Sequence, residues 1–244
     1  MDDATTGTVV ESRSVDAGRA TNWWSEAWAL FTKNAGMWIV LGLILLVIFI
    51  VLSVIPFLGG LVASLLMPVF VGSWMTAARK AEAGGALDVN DLFTAFKGDK
   101  LTPLIVLGAL LLAATLVISV VAVALGFGAV MGMMVGGHSS GAAGMMAAAG
   151  AGMLALLVCL AFGLVVAMAF WFAPALVVFR NVAPVDALKA SFAACLKNIV
   201  PFLVYGLIYI VAAIVASIPF GLGWIVLVPV VLLTAYGSYK DVFG

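Results

Sequence analysis

Charge is what this chain has least of. Of its 244 residues only 11 are basic and 11 acidic, 9% in all, where soluble domains carry about a quarter. With 66% hydrophobic residues and a mean hydropathy of +1.29, the composition places the chain in a bilayer. The formal net charge is zero, so no overall field draws it to nucleic acid, and no nucleic-acid partner is expected. Cysteine is scarce too: Cys159 and Cys195 lack CxxC or CxxxC spacing and sit in segments of different character, which argues against a disulfide or a zinc site. No GxSxG, HExxH or P-loop occurs, and the single histidine, His138, has no carboxylate near it in sequence. Enzymatic chemistry and a cofactor are therefore not expected. Residues 1–22 are polar and lack the basic, apolar and small-residue regions of a signal peptide, so they are expected to stay on the protein as a flexible tail ahead of one membrane domain, 23–244.

What the chain has in abundance is long apolar runs. A span needs about 20 apolar residues to cross a core of roughly 30 Å. Six stretches qualify: 37–56, 58–78, 103–135, 142–179, 200–218 and 223–239. The turns "PFLGG" and "PFGLG" separate the first and last pairs, as Pro and Gly stop one helix and permit reversal. All 11 basic residues, from Arg13 to Lys240, fall on one side of this map, and the three connections on the other side carry no charge. The positive-inside rule then puts both termini in the cytoplasm.

Three segments on the charged side have helical periodicity. "NWWSEAWALFTKN" places Trp24, Trp28 and Phe31 at i, i+4 and i+7; "DVNDLFTAFK" repeats this with Val89, Phe93 and Phe96; "PVDALKASFAACLKN" does so with Leu188, Phe192 and Cys195. Asp88 and Asp91 suit the positive end of the second helix. All three are expected as amphipathic helices lying in the headgroup plane. Each precedes two spans, the second of which carries an internal proline, Pro68, Pro174 or Pro229. The expected fold is therefore all-α and polytopic: six spans and three interfacial helices in three parallel repeats, about 23–80, 88–180 and 184–243.

Several segments carry a family likeness: "VDAGRATNWWSEAWALF" (15–31), "MPVFVGSWMTAARK" (67–80), "DLFTAFK" (91–97), "WFAPALVVF" (171–179), "SFAACLKNIVPFLVYG" (191–206) and "YGSYKDVF" (236–243). On these the chain resembles an uncharacterised family of proteobacterial six-span inner-membrane proteins, itself similar in layout to the membrane domain fused to some glycerophosphodiester phosphodiesterases. The resemblance covers nearly the whole chain and implies fold and topology. It transfers no catalytic residue, and the phosphodiesterase domain is absent.

Three groups of residues are candidates for function. In "GAVMGMMVGGHSSGAAGMMAAAGAG" (128–152), Met131, Met134, Met145 and His138 could offer thioether and imidazole ligands to Cu(I). The competing reading is favoured: Gly128, Gly132 and Gly136 are spaced by four, as close helix packing requires, and 128–152 is then the outer part of a helical hairpin, kinked near Gly126 and Gly128, tilted, or projecting past the lipid. The prolines could mark a transport site between broken helices, but no Asp, Glu, Lys or Arg lies inside a span, leaving only hydroxyl-bearing residues such as Ser73, Thr76, Thr115, Ser119, Tyr205 and Tyr209. Transport, as a small-solute permease, is the second reading. The first is non-catalytic binding or organisation of lipid or a membrane partner, with Trp23, Trp24, Trp28, Phe31, Phe93 and Phe96 as interface anchors and Lys33, Lys97 and Lys197 near anionic headgroups. Membrane lipids are the expected partners; a protein partner or a homo-oligomer is left open.

Overall fold

The computed structural model describes residues 10–135 and 142–244, and their side chains except 127–135, 142–145, 147, 148 and 151. In chain order these residues form α1 (Arg19–Lys33), α2 (Ala35–Ser53), α3 (Leu58–Glu82), a 3₁₀ helix (Val89–Phe96), α4 (Leu101–Val135), α5 (Ala142–Trp171), α6 (Ala173–Arg180), α7 (Pro184–Lys197), α8 (Ile199–Ser217) and α9 (Trp224–Phe243). No strand occurs among them. Six segments are long and apolar enough to cross a membrane.

The chain divides into two compact units, one of residues 1–109 and 168–244, the other of 110–167. The second consists of stretches of α4 and α5, in which Thr115 and Ser119 turn their hydroxyls back onto Leu111 O (2.8 Å) and Thr115 O (2.9 Å). α4 continues as one helix through Gly126 and Gly128. Its 35 residues make about 52 Å of helix at 1.5 Å per residue, well beyond a core of about 30 Å.

In the first unit the core gathers at the ends of the helices that carry the charged residues. Trp38 and Leu41 at the start of α2, Val69 to Ala81 at the end of α3, Leu104 and Leu107 at the start of α4, and Leu233 to Phe243 of α9 supply most of it. The rings of Trp38 and Trp74 meet at 5.3 Å. Lipid tails are as apolar as leucine, so close fit, and not escape from water, holds spanning helices together. Gly108 shows how close: a Cβ there would stand 2.3 Å from the Leu65 carbonyl oxygen of α3. Pro68 and Pro229 lie inside α3 and α9.

Several expectations need correction. The stretch 142–179 counts as one span, but its helix is interrupted at Phe172. Pro174, at the start of α6, removes one donor, but the break itself comes from Ser191 of α7. Its hydroxyl accepts from Phe172 N (3.0 Å) and donates to Met168 O (2.7 Å), entering the helical ladder where those two groups would have met. Residues 10–18 are not a free tail, and α1 begins at Arg19. Arg13 N donates to Val242 O (2.8 Å), Val15 N to Asn198 Oδ1 (2.8 Å), and Asn198 Nδ2 to Arg13 O (2.9 Å); residues 1–9 lie outside the described residues.

The apolar stripes are displaced around their helices. α1 buries Ala20, Trp23, Ala27 and Phe31, leaving Trp24 half-buried and Trp28 53% exposed. α7 buries Ala187, Ser191, Ala194 and Cys195, with Leu188 and Phe192 flanking. The segment at 89–96 is a 3₁₀ helix whose three residues per turn bury Leu92 and Ala95, not the α-helical row Val89, Phe93 and Phe96. Asp88 and Asp91 do close a capping box at its start.

Candidate functional site

Aromatic residues from three segments build one wall at the charged end of the first unit. Trp23 lies fully buried against Phe202 and Tyr205 of α8, its ring 5.5 Å and 6.4 Å from theirs, while Trp24 stacks on Tyr205 at 5.3 Å and Trp171 meets that ring edge-on at 5.2 Å. Tyr205 is itself buried, its hydroxyl 2.9 Å from Thr234 Oγ1 of α9. This wall ties α1 across α8 and α9.

α1 lies along the C-terminal part of α9, where a Cβ on Gly237 would just touch Trp23 Cα at 4.0 Å. The seat is fixed by charge. Arg19 grips Asp241 with two hydrogen bonds of 2.7 Å, and Trp23 Nε1 donates to the same carboxylate at 2.6 Å. That bonding raises the Arg19 guanidinium further above its ordinary value. A carboxylate holding three hydrogen bonds from α1 positions that helix on α9.

The two flanks of α1 border cavities of opposite character. On one flank Thr21, Trp24, Ser25 and Trp28 close the end of an apolar, open-sided groove of about 720 Å³ between α8 and α9, whose walls are Ile208, Ala212, Val215, Val226, Leu227 and Val230. On the other, Glu26 and Lys33 line a polar recess of about 250 Å³ with Glu82, Tyr236 and Lys240. There Glu82 accepts from Lys240 and, at 2.7 Å, from the Tyr236 hydroxyl. A second apolar groove, about 460 Å³, lies on the other side of α9 against α2, bordered by Gly42, Phe49, Trp224 and Pro229. A Cβ on Gly42 would come 3.2 Å from Pro229 Cγ, which keeps the two helices close there.

The sequence candidates are thus dispersed. Trp23 and Phe31 are enclosed by protein, and Trp24 and Trp28 face the 720 Å³ groove. Phe93 and Phe96 pack on Phe70, at 6.2 Å and 5.0 Å between ring centres. Lys33 borders the polar recess, Lys97 is exposed, and Lys197 donates to Ser12 O. His138 and the side chains of Met131, Met134 and Met145 lie outside the described residues; among those described, no three His, Cys, Asp or Glu side chains gather. Sequence reasoning overlooked Asn198 and Ser191, both buried hydrogen-bonding hubs. The small residues beside them, Ala187 and Ala194 at helical spacing, were the available signal of a contact face.

An all-helical bundle with six membrane-length apolar segments and a core of aromatic and small residues is a polytopic membrane protein. The chain belongs to the family described as a domain of unknown function, DUF7847, which matches residues 58–239. It is also similar to a probable inner membrane protein of Burkholderia thailandensis, 28% identical over 205 residues that cover 82% of this chain and 74% of that protein. No solved structure matches it. The family match takes in both walls of the 720 Å³ groove, α8 and most of α9, while α1, which closes it, precedes the matched residues.

Proposed function

We propose that the protein is a non-catalytic component of the inner membrane that binds a phospholipid, one acyl chain lying in the groove between α8 and α9. Both termini are cytoplasmic in this reading, and α1 and α7 lie at headgroup level. The groove itself carries the proposal: about 720 Å³ of apolar space, ended by two tryptophans and the hydroxyl-bearing Thr21 and Ser25, has the apolar body and wet end that a lipid presents.

A permease fits less well, because several of the intramembrane hydroxyls are already used. Ser73 accepts from Ala95 N (3.0 Å), Thr76 donates to Gly72 O (3.1 Å), and Tyr205 pairs with Thr234. A polar path needs such groups free to face solute. Replacing Ala212, on the groove wall, with Trp fills the cavity. Native mass spectrometry is expected to show one retained phospholipid per wild-type chain and none on Ala212→Trp. Equal retention by both proteins, or solute flux in proteoliposomes blocked by the same substitution, refutes the lipid reading.

A further inference from the structure

The two turns that join α2 to α3 and α8 to α9 have a composition unlike that of a water-facing connection. Between residues 54 and 62 the chain reads "VIPFLGGLV", and between 218 and 228 "IPFGLGWIVLV", without one charged or amide side chain. Their side chains nevertheless point outward: Phe57 is 92% exposed and Phe220 fully so. Both follow a proline and both hold positive φ, 60° and 52°, a conformation that bulky residues rarely adopt.

The backbone of the second turn is as self-contained as its side chains are apolar, and the first turn is closed except at the Phe57 and Gly60 N–H groups. From Ile218 to Val226 every N–H is taken by a carbonyl of the same hairpin, Ile218 by Val215, Phe220 by Ile218, Gly223 by Ala216, and Pro219 has none to satisfy. Trp224 Nε1 donates to Ser217 Oγ (3.1 Å), which itself donates to Ala213 O (2.8 Å). In the first turn Val54, Ile55, Leu58, Gly59 and Leu61 donate in the same way, and Ser53 Oγ bonds Ile50 O at 2.7 Å. A turn in water has no need to close its own donors; one in hydrocarbon has no alternative. Helix length agrees. α2 and α8 have 19 residues each, about 28 Å, which falls just short of a core of about 30 Å.

We infer that both turns are submerged in the hydrocarbon of the leaflet away from the charged residues, with acyl chains and not water or a soluble partner against Phe57 and Phe220. This does not depend on the groove holding a lipid. The test is spin labelling at Phe57→Cys and Phe220→Cys in a background carrying Cys159→Ala and Cys195→Ala, in vesicles of phosphatidylethanolamine and phosphatidylglycerol. Power saturation is expected to show greater accessibility to oxygen than to a water-soluble nickel chelate at both positions, and the reverse for a label at Glu11. If a label at either tip disturbs folding, Leu58→Cys and Leu222→Cys, 63% and 64% exposed in the native chain, report on the same turns. Nickel accessibility exceeding that of oxygen at either turn overturns the inference.

Discussion

Asn198 is the residue whose loss the structure makes easiest to quantify. It is 1% exposed, and its side chain reaches back nearly the whole length of the chain to hold residues 13–15, accepting from Val15 N at 2.8 Å and donating to Arg13 O at 2.9 Å. Two such bonds are worth about 1–3 kcal/mol net. Asn198→Leu keeps the branched outline of the side chain and removes both, together with the bond from Asn198 Nδ2 to Ala194 O, while Arg13 N to Val242 O and the Arg19–Asp241 pair remain. The N-terminal segment should then open locally without global unfolding. A loss of about 2 kcal/mol corresponds to roughly 30-fold more of the open form, since 1.4 kcal/mol is tenfold. Trypsin cleavage after Arg13 in mild detergent tracks that population when opening is fast, so nicking should accelerate by a similar factor. Asn34 is the internal control. It joins α1 to α2 with nearly the same backbone as Asn198, φ −142° and ψ 41° against −114° and 33°; neither side chain caps its helix, and Asn198 alone of the two bonds the N-terminal segment. Asn34→Leu should leave nicking unchanged. Acceleration below about threefold in Asn198→Leu, or equal effects of the two substitutions, refutes the reasoning.

Gly108→Leu drives a side chain into the Leu65 backbone and should cost several kcal/mol in detergent melting, whereas Gly206→Leu, with nothing within 4 Å of its Cβ, should change the midpoint little. Burial pushes the Cys195 thiol up to about 12. In a Cys159→Ser background it should resist maleimide between pH 7 and 9 and react only on unfolding; an unfolded thiol ionises near 8.5 while the folded one does not, so stability should fall as pH rises above that point. A Ser139→Cys variant should be labelled only from the outer side, and a reporter fused after Gly244 should be active in the cytoplasm; labelling of position 139 from the cytoplasmic side alone reverses the orientation.

The spans were legible because the bilayer imposes one requirement on every residue in them: about 20 apolar positions and no unpaired charge. No comparable requirement tells which face of a cytoplasmic-side helix meets protein. In α1 and α7 the largest side chains suggested one stripe, but the contact faces run through Ala20 and Ala27, and through Ala187 and Ala194, because small residues allow the closest approach. The eight residues of the 3₁₀ helix are too few for a period of 3.0 to be told from one of 3.6. Residues 10–18 look like a solvated tail because their partners are remote; Val15 and Asn198 lie 183 positions apart, Arg19 and Asp241 222. The groove was illegible for a related reason. It is a separation between helices, and no single helix encodes it.

The distribution of packing then bears on what the groove can do. Its closed end is set in the stiffest part of the unit, where Trp23, Tyr205, Thr234 and the Arg19–Asp241 pair interlock. Beyond Tyr205, α8 buries only Ala216, while Leu207, Ile210, Val211 and Ile214 are more than half exposed. Gly223 packs its backbone on Ala216, where a Cβ would stand 2.5 Å from Ala216 Cα, and joins α8 to α9 again at the far turn. A wall held at both ends and loose between them can bow. In the lipid-binding reading, the position of the chain's polar end is therefore fixed by α1, and the middle of the groove accommodates chains of different shape, which separates where the lipid binds from which acyl chain it carries.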